Sequence, residues 1–271
     1  DSGVGKTALL ESLFLCGGNN AEIFFRVRMW RGFGETVEIT TGRNSYEAVF
    51  RDLFYNFDHD KGAVIRFEES ERGFRSLTIR YEDRSTFDLP LRSSEGSSRD
   101  IFTVSPINFT WETPAGLSTS RVEIIDNGRV RMTGGSTAHP MMFVSSQTLN
   151  ARQNAIRYSE LSRSNKSDQV LDAIKIAFPH IRALSLEWVA GDLMLHVSLD
   201  GYAEKLPIVV LSGGLSKYLS LVLAILSMPG GTVIADEIEN GFYYRSMPSL
   251  LTNLWRLCRS TGTQLIASTH S

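Results

Sequence analysis

The chain opens on Asp1-Ser2-Gly3-Val4-Gly5-Lys6-Thr7, which matches all but the first position of the spacing G-x-x-x-x-G-K-[ST]. No other stretch constrains the fold as strongly. Glycines let a backbone curl until successive N–H groups face one anion, and the helix that follows adds the positive end of its dipole. In this pattern Ser2, Gly3, Val4, Gly5, Lys6, Thr7 and Ala8 cradle phosphate oxygens. Lys6 reaches the β and γ phosphates, and the Thr7 hydroxyl is offered to Mg²⁺. The bland alternative is a glycine-rich turn that starts a helix. That helix is expected over KTALLESLFL, with Leu9, Leu10, Leu13 and Phe14 on one face, ending at Gly17-Gly18.

Composition narrows the class. The 271 residues are 42 % hydrophobic and 21 % charged, which supports a sizeable core and excludes disorder. Twenty-eight Lys and Arg against 30 Asp and Glu leave a net charge of −2, so a nucleic acid or an anionic membrane gains no global attraction. The most apolar stretch, Leu219 to Met228, is about half of the roughly 20 residues a bilayer demands, so no membrane partner is expected. Cys16 and Cys258 are too few for a disulfide framework, and a reducing, cytoplasmic setting is the expectation. A chain that starts with Asp inside a motif and stops at Ser271 reads as a piece cut at both ends.

Strand-like runs are expected at Ile23 to Trp30, Val64 to Phe67 and Ser76 to Tyr81, with an amphipathic helix over Tyr46 to Phe57. Residues 93–100 read as a loop. The stretch 101–145 reads as a β meander with turns at Asp126-Asn127-Gly128 and Gly134-Gly135. Val170, Leu171, Ile174 and Phe178 mark one helix face, and a β-rich piece spans Leu184 to Val210. The end alternates as a parallel sheet does: helix 215–227, strand Thr232 to Ala235, helix 247–258, strand Gln264 to Thr269.

Three further elements join the loop. Thr232-Val233-Ile234-Ala235 runs into Asp236 and Glu237, so a buried strand delivers two acids to its carboxyl edge. Asp236 suits the Mg²⁺ shell and Glu237 suits a general base for water. Ser212-Gly213-Gly214 lies 24 residues before Asp236 and opens a helix, where backbone donors and a hydroxyl face an anion. His270 lies 33 residues after Glu237 at the end of the last strand pattern, placed to hydrogen-bond a γ-phosphate. Each alone has an ordinary reading: a solvated acidic turn, a helix cap, a structural histidine.

In this order the four elements resemble the ABC-type P-loop ATPases. The stretches Asp236-Glu237-Ile238-Glu239-Asn240-Gly241 and Gln264 to Ser271 are similar to bacterial AAA-type ATPases related to the OLD (overcoming-lysogenization-defect) and RecF/SMC group. The 206 residues between Lys6 and Ser212, and an acidic turn without proline, set the chain apart from transporter ATPases. The resemblance implies an α/β fold of ABC type, a mainly parallel sheet flanked by helices, with inserted antiparallel β and helical subdomains. It implies one domain over 1–271, truncated at both ends, with a β-rich loop-bearing part (1–145), a helical signature part (146–230) and an acid-strand and His part (231–271).

It further implies Mg²⁺-dependent ATP hydrolysis in a head-to-tail homodimer, in which Ser212, Gly213 and Gly214 of one copy close on the γ-phosphate at the other copy's loop. Lys6, Glu237 and His270 then act on the phosphate and the water; Thr7, Asp236 and a glutamine hold the metal. Gln147 is the candidate glutamine, because it follows the apolar run Met141 to Val144; a surface loop residue is the competing reading. The cycle would drive an effector protein in DNA-related or phage-defence processes. The alternatives are a nucleotide-bound switch with little hydrolysis, and the ATPase part of an OLD-type nuclease whose Toprim domain lies past Ser271.

Other strings are set aside. Asn165-Lys166-Ser167-Asp168 spells a guanine-reading motif, but it follows a polar run rather than a buried strand, so Asp168 is expected to cap a helix. His59, His139, His180 and His196 lack zinc spacing. Arg26, Arg28 and Arg31 around Trp30 form a candidate DNA patch, with a solvated strand face as the alternative.

Overall fold

The computed structural model describes residues 5–31, 50–58, 60–69, 73–82, 105–125, 129–136, 139–146 and 151–270. Gln147, Ser2, Gly3 and Val4, the loop at 93–100, the turn at 126–128 and His59 therefore lie outside the described residues. The chain divides into two compact units, one made of residues 1–14 and 139–271 and the other of 15–138. Both chain ends thus share a unit, a different partition from the consecutive parts 1–145, 146–230 and 231–271.

In the first unit, helix α1 begins at Lys6 and extends to Gly17. Strands β6 (Met141–Val144), β10 (Thr232–Ala235) and β11 (Gln264–Ala267) form a parallel sheet in the order β11-β10-β6. The register pairs Ala235 with Val144 and with Ala267, so the carboxyl ends of all three strands meet at one edge. Helices α3 (Ala151–Arg163) and α4 (Ser167–Ala177) lead to an antiparallel sheet of β7 (Ile181–Val189), β8 (Asp192–Leu199) and β9 (Leu206–Pro207). Helix α5 (Gly213–Ser227) then enters the core and α6 (Met247–Thr261) links β10 to β11.

Helix α5 is the centre of this unit. Every residue from Gly214 to Leu226 is buried, which its sequence requires: LSLVLAIL leaves no polar face for water. Its neighbours in the core include Ala155, Tyr158, Ile174, Val197, Val233 and Leu254, drawn from α3, α4, β8, β10 and α6. Asn253 of α6 donates to the Ala173 carbonyl at 2.9 Å and to the Tyr218 hydroxyl, so these two polar side chains are answered inside the apolar volume. Burial pushes the Tyr218 phenol up to about 12.

The second unit holds α2 (Glu22–Trp30) and a five-stranded antiparallel meander: β1 (Ala63–Glu69), β2 (Gly73–Tyr81), β3 (Ile107–Thr113), β4 (Gly116–Ile125) and β5 (Arg129–Gly134). Phe24, Phe50, Phe109 and Trp111 fill its core; the rings of Phe24 and Phe50 stack at 5.1 Å, and Trp111 Nε1 donates to the Leu15 carbonyl at 2.9 Å. At the end of β5, Gly134 adopts φ +78° with the Thr119 carbonyl 2.3 Å from where a Cβ would stand. Only glycine fits that close approach.

The secondary structure departs from expectation at four places. The expected mainly parallel sheet is confined to β6, β10 and β11, and the other described strands pair antiparallel. Strands joined by turns as short as the one between Thr113 and Gly116 can only run antiparallel; parallel pairs need the long crossovers that α5 and α6 provide. Residues 23–30 are helical, because Phe24, Val27 and Arg28 recur at helical spacing, a pattern that six alternating residues also mimic. Residues 51–53 and 55–57 form two short 3₁₀ turns rather than one helix, separated by Phe54 in an extended conformation, φ −106° and ψ 136°. Asp168 sits in the first turn of α4, with Lys166 at the cap position.

The arginines of the candidate patch lie on α2 or just past its end rather than on a strand. Arg26 pairs with Glu22 at 2.9 Å, and Arg28 and Arg31 both reach Asp52, at 2.9 and 3.3 Å. Each guanidinium is answered by a carboxylate. Cys16 and Cys258 are free and buried, and burial pushes the Cys16 thiol up to about 11, far from a reactive thiolate. Among the described residues no helix is long and apolar enough to cross a membrane.

The centrality of α5 gives a stability test. Leu223→Ala, at a fully buried position, is expected to cost about 3 kcal/mol through the cavity it leaves. A urea melt followed by circular dichroism should show the lowered midpoint.

Candidate functional site

The site is assembled at the carboxyl edge of the parallel sheet. Gly5 takes φ +81°, a conformation that the loop needs before the chain enters α1, and the Leu9 amide closes the first turn on the Gly5 carbonyl at 2.9 Å. Thr7 Oγ1 donates to Asp236 Oδ2 at 2.9 Å across 229 residues of sequence. Lys6 Nζ donates to the carbonyl of Thr269, the residue before His270. The loop end, the acid strand and the histidine strand therefore meet at one edge.

Asp236 is buried, and its carboxylate is held from three directions. Thr7 and Ser146 (3.4 Å) reach Oδ2, and Ser268 Oγ donates to Oδ1 at 2.6 Å. The main chain is held too, since the Asp236 amide donates to the Val144 carbonyl at 3.0 Å. A buried carboxylate left without such hydrogen-bond partners would be costly.

Glu237 lies one residue further, where the strand has ended. Its φ is 47°, in the left-handed region that a non-glycine residue seldom visits. The turn directs its amide to Ser268 Oγ at 2.8 Å, while Nε2 of His270 stands 3.0 Å from Oε1 and Asn240 Nδ2 donates to Oε2 at 3.3 Å. Glu237 keeps a third of its side chain exposed, so water reaches it. Glu239 accepts from the His270 amide. Burial raises the Glu239 carboxyl, but hydrogen bonds from the His270 amide and the Thr269 hydroxyl outweigh it and hold the group below the usual range.

The Ser212-Gly213-Gly214 turn sits at the start of α5. Ser212 Oγ accepts from the Leu215 amide at 3.1 Å, the geometry of a helix cap, and Gly213 is exposed. Gly214 is buried against the acidic segment, for a Cβ there would fall 2.3 Å from the Gly241 carbonyl. Among the described residues Ser212 and Gly213 share no hydrogen bond with Lys6, Thr7 or Asp236 of the same chain.

Sequence reasoning missed Lys217. Its ammonium is buried and donates to the carbonyls of Ser145 and Asp236 at 3.0 and 2.9 Å. Burial pushes it down to about 8, against the pull of Asp236, Glu237 and Glu239. A lysine within the apolar run that follows Ser212-Gly213-Gly214 is the signal that marks it. Ser268 was missed as well; it follows β11 directly and meets Asp236 and Glu237 there.

The donors suit magnesium. A hydroxyl and a carboxylate 2.9 Å apart are hard oxygen ligands, and Mg²⁺ takes one or two of these along with water and substrate phosphate oxygens. Among the described residues no group of three or more His, Cys, Asp or Glu forms an all-protein cage.

The family described as "AAA domain, putative AbiEii toxin, Type IV TA system" matches residues 1–271. An ATP/GTP phosphatase of Helicobacter pylori is 32 % identical over 80 residues, 28 % of this chain and 22 % of that protein, so the match spans under a quarter of the relative's length. Among solved structures, the SMC head domain from Thermotoga maritima shares 14 % identity at a TM-score of 0.31, over 62 % of this chain and 64 % of that one. An SMC head bound to the C-terminal winged-helix domain of ScpA shares 11 % at 0.38, over 61 % and 65 %. Since the family match takes in every residue from 1 to 271, the chain belongs to that AAA-domain family.

Proposed function

We propose that the chain binds ATP with Mg²⁺ and hydrolyses it, as an ABC-type head that closes with a second copy of itself around the nucleotide. The observation that carries this reading is the Thr7–Asp236 hydrogen bond with Lys6, Glu237 and His270 gathered beside it. Membership of an AAA-domain family and the likeness to an ATP/GTP phosphatase support it.

On this reading the loop from Ser2 to Ala8 cradles the phosphates, and Lys6 leaves the Thr269 carbonyl to meet the β and γ oxygens. Thr7 and Asp236 hold Mg²⁺, which when bound neutralises charge on the β- and γ-phosphate oxygens; Gln147 is proposed to join them. Glu237 accepts a proton from the attacking water as its oxygen bonds to the γ-phosphorus and the bond to the β-γ bridging oxygen breaks. His270 and Asn240 keep that carboxylate aimed. The partner copy's Ser212 turn supplies a hydroxyl and amides at the far side of the γ-phosphate. A role in driving an effector, in phage defence or on DNA, belongs to the same proposal.

Glu237→Gln is expected to keep nucleotide binding while phosphate release falls about 100-fold or more. Size-exclusion chromatography with ATP should show that variant held as a dimer. A non-hydrolysing switch would instead show a wild type already as slow as the variant. His270→Ala should lower turnover by about 100-fold with nucleotide affinity little changed, measured by fluorescence titration beside the release assay.

A further inference from the structure

Helix α5 carries one charged side chain, Lys217, within its buried length. It lies one turn past Gly213 and Gly214 and is 3 % exposed. The β6–β10 ladder ends with the Asp236 amide on the Val144 carbonyl. The next carbonyl on each strand, Ser145 and Asp236, accepts from the same ammonium, at 3.0 and 2.9 Å. Lys217 thus clasps two strand ends beyond the point where the backbone can do so.

Filling the helix interior does not call for a charge. An apolar residue there would avoid the desolvation that pushes this ammonium down to about 8. What the ammonium adds is fixation of the main chain at Asp236, whose side chain meets Thr7, Ser146 and Ser268. The same helix grips the other end of the acidic segment, where Gly214 crosses Gly241 too closely for any Cβ.

We propose that Lys217 is a positioning residue for the metal-holding carboxylate: by donating to the Ser145 and Asp236 carbonyls it fixes the end of β10 against Thr7 and ties it to the Ser212-Gly213-Gly214 turn. The inference rests on the nucleotide and magnesium reading above. It assigns Lys217 no contact with nucleotide. Its effect passes through Asp236, so magnesium dependence is the property it should move.

The test is binding of a fluorescent, non-hydrolysable ATP analogue to the whole chain, titrated with Mg²⁺ and repeated in EDTA, for wild type, Lys217→Met and Lys217→Gln. The Mg²⁺ midpoint should rise about tenfold in Lys217→Met, the scale seen when groups behind a metal ligand are removed. Lys217→Gln, which keeps an amide donor, should rise less, and EDTA binding should stay near wild type in both. A lowered melting temperature with an unmoved Mg²⁺ midpoint in either folded variant overturns the proposal, as does failure of both variants to fold. Absence of analogue binding by wild type would sink the nucleotide reading instead.

Discussion

The carboxylate of Asp236 is the point on which the first unit turns. It is buried at the end of a four-residue strand, and hydroxyls of Thr7, Ser146 and Ser268 point at it; a polar group so buried is costly unless it is hydrogen-bonded. Each comes from a different segment: the start of α1, the exit of β6 and the exit of β11. Removing any one of them would leave a buried polar group with fewer hydrogen-bond partners, so the need to satisfy one group helps hold the segments in register. The site is thus also part of what holds the unit together.

Why the edge of a short parallel sheet should serve this purpose follows from its geometry. Parallel strands in register finish side by side, and the residues past their ends emerge within hydrogen-bond reach of one another. Helix α5 is buried from Gly214 to Leu226 and packs against the sheet. Its apolar length contributes the burial, while its first turn and Lys217 touch the acidic segment directly. Stability and site geometry therefore depend on the same fifteen residues.

The sequence was most legible where chemistry and pattern coincide. Lys6, Thr7, Asp236, Glu237 and His270, picked out by motif, spacing and resemblance, lie together at one sheet edge, and β10 has the bounds that its β-compatible run implied, because a short buried strand ended by charges has few other ways to fold. Residues 23–30 misled, since Phe-Arg-Val-Arg-Met-Trp alternates over too few positions to separate periods of two and 3.6. The extent of antiparallel pairing was underread for a similar reason: motifs at the two chain ends describe only the parallel edge. Lys217 and Ser268 escaped because neither belongs to a motif, and their roles come from which carbonyl or carboxylate the fold sets opposite them.

The left-handed backbone at Glu237 sets two selective pressures against each other. A residue with a Cβ costs about 1–2 kcal/mol in that conformation, and glycine would relieve it. Yet only a side chain long enough to reach His270 Nε2 and Asn240 Nδ2 completes the cluster. Glycine or asparagine would relieve that backbone cost but lose both contacts, so at this turn conformational ease and side-chain reach pull in opposite directions.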